Sequence, residues 1–217
     1  GIPLAETPAG TFLRGVLQLV HDGVSPVSTL AALKHPLAAG AQEPVQFRAM
    51  VRDLERLVLR GPRPAAGFAG MRGTAEHRRD TARPDDVERY ATVWPVLFRL
   101  IDDLEAAADP LATLFQGGMA RLPEFVRAHI GLAEALATTE SESGAIRLWA
   151  GDAGEALASF VAELVEYGDA LGPLAPARYA ALFETLLAGR VVRPRFGTHP
   201  RLTILGPLEA RLQRHDV

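Results

Sequence analysis

The sequence predicts a mainly α fold, a helical bundle of seven to nine helices with one or two short β-strands at its C-terminal end. Apolar residues recur at three- and four-residue spacing through most of the 217 residues, which is the pattern of amphipathic helices. Prolines open many of these runs and glycines close several of them, as at helix boundaries. Strand-like runs appear only late, as RVVR (190–193) and RLTIL (201–205).

The first predicted helices each begin at a proline. Thr7 and Ser25 precede Pro8 and Pro26, which places a hydroxyl cap before a proline at the first helical position. The second run stops before Pro36, because a residue that precedes proline avoids helical geometry. We therefore predict three helices, over residues 8–22, 26–33 and 44–58.

Five further helical segments follow a stretch rich in Gly, Pro and Arg. They are predicted over residues 84–104, 110–116, 123–136, 153–167 and 176–188. Pro95 lies inside the first of them and should kink or split it. The glycine-rich run GFAGMRG (67–73) has no preceding strand and no Gly-Lys-Ser/Thr ending, so we interpret it as a flexible connector within a loop over 61–83, and not as a phosphate-binding loop.

Composition excludes several classes of function. The net charge is −3, so no overall charge draws the chain to nucleic acid or to an anionic membrane. The chain has no cysteine, which excludes disulfides and thiolate metal sites within it and favours a reducing, cytoplasmic location. No apolar run has the length of a membrane span, so we expect no membrane partner. The first residue is Gly1 rather than Met, and we expect a piece of a larger protein.

Residues that carry chemistry are sparse. No two of the six histidines have the spacing that places two imidazoles on one helix face for a metal. His129 falls in an apolar stripe, where we expect a buried histidine with satisfied hydrogen bonds. Asp102, Asp103 and Glu105 lie on the polar side of a helix and are interpreted as a solvated face. No nucleophile motif is present, so we predict no catalytic residue and no metal site.

Arginines provide the one distinctive charge cluster. Two interpretations of it stay open: contacts to a DNA backbone or to a partner, and a solvated loop without a binding role. The candidate contact residues are Arg60, Arg63, Arg72, Arg78, Arg79 and Arg83. Weaker candidates surround the predicted strands, at Arg190, Arg193, Arg195 and Arg201.

Several stretches resemble the AddB subunit of bacterial AddAB-type helicase–nucleases, in the alphaproteobacterial form. They are TPAGTFLRGVLQLV, STLAALKHPLAAG (28–40), LVLRGPRPAAGFAGMRG (57–73) and the terminal THPRLTILGPLEARLQRHDV. The resemblance covers nearly the whole chain. Its most specific positions are His35, Pro36, Gly206, Glu209 and Arg211.

The resemblance implies a UvrD-like, superfamily-1 helicase architecture, in which residues 1–189 are a helical insertion and residues 190–217 return to the parent sheet domain. Residues 1–4 would leave that sheet. Active helicases carry a Thr-x-His-x-x-Lys-Gly-Leu-Glu-like motif near the return strand. Its His and Lys have no counterpart in LTILGPLEAR (202–211), as suits the degenerate motor of this family.

The implied function is therefore non-catalytic for this chain. The parent would be a helicase-like exonuclease subunit, a hydrolase, that acts with an AddA-like motor subunit on DNA in double-strand break repair and recombination. ATP, Mg²⁺ and an iron–sulfur cluster would all bind through residues outside this chain. The alternative is a free-standing helical protein–protein interaction module without a DNA function. A small-molecule enzyme is disfavoured, because no polar constellation converges.

Overall fold

The computed structural model describes residues 1–192, and this part of the chain is mainly helical. Ten α-helices are present in it, one more than the upper limit predicted. They are α1 (Pro8–His21), α2 (Pro26–Leu33), α3 (Pro44–Leu54), α4 (Gly67–Asp80), α5 (Pro84–Arg89), α6 (Val93–Gly117), α7 (Leu122–Ala137), α8 (Gly144–Leu148), α9 (Gly151–Tyr167) and α10 (Pro176–Ala188). The mainly α fold class is confirmed.

Helix α1 lies at the centre of the bundle and packs against α2, α6, α7, α9 and α10. Its caps follow the sequence prediction, since the Thr7 hydroxyl accepts a hydrogen bond from the Gly10 amide at 3.1 Å. Phe12, Leu13 and Val16 are fully buried along its length. A single apolar core extends from Leu4 to Val192, so the described chain folds around one core.

Residues 67–80 form helix α4, and the prediction of a loop throughout 61–83 is wrong there. Phe68, Met71 and Ala75 are buried at helical spacing, and they hold the segment against α6. Gly70 is required by a close approach, because a Cβ at this position would overlap the carbonyl group of Ala65. Gly70 therefore allows tight packing at the start of α4.

Two prolines behave differently from each other. The segment predicted from Pro84 is divided near Pro95, as expected: α5 ends at Arg89 and α6 begins at Val93. The predicted new segment at Pro110 is wrong, because α6 continues through that residue. Leu111 and Ala108 are fully buried beside it, and their packing outweighs the backbone hydrogen bond that proline cannot donate.

Two short antiparallel ladders close the bundle. Strand β1 (Ile2–Pro3) pairs with β4 (Val191–Val192), and the Leu4 amide extends the pairing by donating to the Arg190 carbonyl at 2.8 Å. The RVVR prediction is thus confirmed for Val191 and Val192, whereas RLTIL lies outside the described residues. A second ladder, β2 (Ala120–Arg121) with β3 (Pro173–Leu174), was not predicted.

Within residues 1–192, no helix has the length and apolar character needed to cross a membrane.

Candidate functional site

Helix α4 presents its arginines on two faces. Arg72 and Arg79 lie two turns apart and point toward α6, whereas Arg78 points toward the π-helical turn Glu55–Leu59 that follows α3. The structure therefore separates arginines that are close in sequence. The arginines on the two faces therefore have different partners, and they differ in how well they could bind a ligand.

Arg78 has a structural role. Its guanidinium donates to the carbonyl of Arg60 at 2.6 Å and to that of Leu57 at 3.4 Å. Gly61, with a φ of +103°, allows this approach, because a Cβ there would lie 2.8 Å from the Arg78 Nη2 atom. Arg78 thus satisfies carbonyls at a helix end, and its donors face the chain rather than a ligand.

Arg72 and Arg79 both lie over the ring of Phe98, at 5.4 and 5.1 Å from its centroid. Arg72 also pairs with Glu76 at 3.4 Å and with Asp102. Asp80 accepts a hydrogen bond from Arg79, which lowers the pKa of that carboxyl group. Two guanidinium groups therefore cover Phe98, and their charges are partly matched by carboxylates.

The remaining three candidates of this cluster lie at the surface. Arg60 pairs with Glu55 at 3.1 Å, and Glu55 also accepts from Lys34 at 2.6 Å. The hydrogen bonds from Lys34 and Arg60 lower the pKa of the Glu55 carboxyl group. Arg63 and Arg83 are exposed, and neither has an ion-pair partner among residues 1–192. They are the candidates most available for an external anion.

The weaker candidates are only partly described. Arg190 pairs with Glu163, with a second oxygen contact at 3.4 Å, and lies 5.7 Å from the Phe160 ring centroid. Arg193, Arg195 and Arg201 lie outside the described residues, and so do the family-motif positions Gly206, Glu209 and Arg211.

His35 and Pro36 belong to a loop that is fixed to the core. The His35 ring packs 4.9 Å from Phe12, and its Nε2 atom is 3.1 Å from the Thr11 hydroxyl. Partial burial lowers the pKa of this imidazole. Farther along the loop, Arg147 donates to the carbonyls of Leu37 and Ala137. The stretch 28–40, one of the two most specific parts of the resemblance, thus has a packing role between α1 and α7.

His129 is fully buried, and its hydrogen bonds are satisfied as predicted. Its Nε2–H donates to the Leu13 carbonyl at 2.9 Å, and its Nδ1 accepts from the Tyr179 hydroxyl at 2.8 Å. Burial lowers the pKa of His129 to about 4 and raises that of Tyr179 well above its usual value. The imidazole is therefore neutral near pH 7, and its two hydrogen bonds join α7 to α1 and α10 within the core.

A cleft of about 460 Å³ lies between the end of α1, the start of α4 and the second half of α6. His21, Glu105 and Asp109 face it, beside an apolar wall that includes Phe68 and Phe115. No group of three or more potential metal ligands forms anywhere in residues 1–192. Asp102 and Asp103 pair with Arg72 and Arg99 instead, which agrees with their interpretation as a solvated face.

A smaller groove of about 240 Å³ lies between α5 and α6. We call it the α5–α6 groove; its lining residues are Arg79, Val87, Ala91, Trp94, Pro95 and Phe98. Val87, one of these lining residues, is 51% exposed. The buried indole N–H of Trp94 has no hydrogen-bond acceptor within the described chain. This groove combines apolar walls with one cation.

The sequence contained a signal for the groove that pattern reasoning missed. Trp94 and Phe98 are spaced four residues apart on α6, so they share a face, but Phe98 falls beside the main apolar stripe. Surplus aromatic residues at the edge of a stripe indicate an exposed apolar site.

Comparison of the chain with protein-family models, curated proteins and solved structures found no match.

Proposed function

We propose that this chain is the helical insertion domain of an AddB-like helicase–nuclease subunit, and that it supports engagement of broken DNA without catalysing a reaction itself. The proposal rests on the family resemblance together with one observation. Strand β1 and strand β4 lie side by side, so the two ends of the described bundle lie at the same place. A domain inserted into a host sheet needs neighbouring entry and exit points.

The pairing geometry supports the proposal in a second respect. Each strand of the β1–β4 ladder has only two residues, and a two-stranded ladder of this length is marginal by itself. In the proposed parent, the sheet domain would supply further strands on either side. The proposal therefore accounts for a strand pair at the edge of an otherwise helical bundle.

For DNA engagement, Arg63 and Arg83 are the best candidates, followed by Arg60. Their guanidinium groups are exposed, and phosphate contacts need accessible cations. Arg78 is excluded from this role by its bonds to backbone carbonyls. Replacing Arg78 would disturb the fold, so a loss of binding on its replacement would say nothing about phosphate contact.

The test compares two double variants of equal charge. We expect Arg63→Ala with Arg83→Ala to weaken binding to duplex DNA and to lower the salt dependence by about 2 units of log–log slope. The control, Arg48→Ala with Arg52→Ala, removes two exposed arginines from α3. Fluorescence anisotropy across a salt series measures both, on this chain and within the proposed parent protein. Equal losses in the two double variants would overturn the assignment of Arg63 and Arg83.

The insertion itself is tested by the coding sequence on both sides of this segment. We expect an apolar strand to follow, a nucleotide-binding loop or its remnant upstream, and a cysteine-bearing nuclease motif downstream. Flanks without these features would overturn the AddB-like proposal.

The second candidate function is a free-standing helical interaction module. The exposed apolar α5–α6 groove favours it, and it predicts a protein partner without DNA binding near physiological salt.

A further inference from the structure

We propose that the α5–α6 groove is a docking site for a partner protein segment that presents one large apolar side chain next to a single carboxylate. The inference does not depend on the proposed role in repair, since it rests on the groove alone. Five of its six lining residues are apolar, and the sixth is Arg79. Apolar surface and a single cation at its edge are the complement of that segment.

The size of the groove selects the kind of occupant. Its volume of about 240 Å³ is below the range of about 300–1,000 Å³ that is usual for small-molecule and cofactor sites. It suits a single side chain of leucine or phenylalanine size. Interfaces often obtain most of their affinity from one such anchor in a pocket, surrounded by contacts that exclude water.

The aromatic residues of the groove favour protein over nucleic acid. Base binding needs a free aromatic face on which to stack, but Arg72 and Arg79 already lie over Phe98, and Trp94 packs 6.3 Å from it on the same helix. Asp85 and Asp86 open helix α5 beside the groove, and they repel a run of phosphates more strongly than they repel one carboxylate.

The Arg79 guanidinium accounts for the carboxylate. It has a single ion-pair partner, the adjacent Asp80, and both side chains are about half exposed, so the pair is weak and easily exchanged. The Trp94 ring lines the same groove, so its indole N–H signal reports on an occupant beside Arg79.

The test uses the indole N–H signals of the isotope-labelled full chain in NMR titrations. The probes are three blocked hexapeptides, GSLDSG, GSLKSG and GSADSG, each taken to about 5 mM because one anchor residue supports only weak affinity. We expect GSLDSG to shift the Trp94 signal with saturation, and the other two peptides to shift it at least about fivefold less. Trp149, which donates to Glu134 at 2.7 Å, is the internal reference and should not move.

Two variants locate the effect. Ala91→Glu places a carboxylate in the groove at an exposed position and should weaken the GSLDSG response by about tenfold. Arg79→Glu should reverse the preference, so that GSLKSG binds better than GSLDSG. The matched control, Ala112→Glu, lies on the cleft side of α6 and should change neither response.

Three results would overturn the proposal. They are no saturable Trp94 shift with any peptide, equal shifts with GSLDSG and GSLKSG, and displacement of GSLDSG by oligothymidylate, which would assign the groove to nucleic acid. We expect the Ala91→Glu variant to bind DNA as the unaltered chain does, so that failure of the groove proposal can be distinguished from failure of the proposed repair function. The Arg63→Ala, Arg83→Ala double variant tests the repair function separately, because neither residue lines the groove.

Discussion

At the scale of single residues, the buried imidazole of His129 couples the fold to pH. Its two hydrogen bonds, to Tyr179 and Leu13, fit only the neutral ring with the proton on Nε2. Protonation of Nδ1 would leave two donors facing each other unless the Tyr179 hydroxyl turned away. Burial, which disfavours the charged imidazolium, is the main reason why His129 binds a proton far less readily in the fold than in the unfolded chain.

This coupling gives a prediction for stability. The pKa of His129 is about 4 in the fold, against its ordinary value of 6.5, so the unfolded state binds more protons between these values. The contribution of the neutral His129 to the free energy of unfolding is fully present above about pH 6.5, and it is lost as the pH drops toward 4. The loss from His129 alone should reach about 2–3 kcal/mol at pH 4.5, measured by urea unfolding at pH 7 and 4.5.

A non-titrating variant isolates this contribution from that of the carboxyl groups. His129→Gln should be less stable at pH 7 by about 1–3 kcal/mol, because the buried hydrogen bonds are perturbed, but it should lose correspondingly less between pH 7 and 4.5. The control His77→Gln changes an exposed histidine on α4 and should keep the full loss. The same pH dependence in His129→Gln as in the unaltered chain would contradict the mechanism.

At the scale of elements, helix α4 shows where sequence patterns succeed and fail. The boundaries of α1 and α2 could be predicted, because hydroxyl caps and prolines mark them locally. Helix α4 could not, because three glycines in seven residues lower its intrinsic propensity. Its stability comes from burying Phe68, Met71 and Ala75, which depends on α6 being present and is not visible in the local sequence.

The same distinction applies to the candidate site. Six arginines could be selected by their clustering, but their roles depend on partners that are distant in sequence. Arg72 meets Asp102 thirty residues away, and Arg78 meets the Arg60 carbonyl. Charge patterning therefore selects these arginines as a group, but it could not separate the structural ones from the accessible ones.

Two glycines of α4 test the account of this helix. Gly70→Ala should cost about 1–3 kcal/mol of unfolding free energy, because the added Cβ overlaps the Ala65 backbone. Gly73→Ala meets nothing within 4 Å and should gain about 0.5–1 kcal/mol through helix propensity. Chemical denaturation measures both. Equal changes at the two positions would mean that the close approach at Gly70 has no energetic weight.

At the scale of the whole molecule, the continuous core predicts one cooperative transition. Buried residues connect Leu4 near the start to Val192 at the end of the described chain without a break, so the helices cannot separate into independent units without exposing apolar surface. In a Trp149→Phe variant, the fluorescence of Trp94 on α6 reports one side of the bundle, and far-UV circular dichroism reports all helices.

We expect both signals to have the same urea midpoint within error, and a slope that matches the surface of one domain of this size. Two separate midpoints would mean that α4–α6 unfold independently of α1 and α7–α10. That outcome would contradict the assignment of residues 1–189 to a single domain.

The strand pair at the two ends of the bundle has a mechanical consequence. Because Ile2 faces Val192, two tethers attached at these residues leave the domain as neighbours, and tension between them does not pass through the helices. Such a load would peel apart a few backbone hydrogen bonds in sequence, while the helical core remained outside the line of force. With both tethers at one place, the bundle would be held at a single point and would not be stretched along its length.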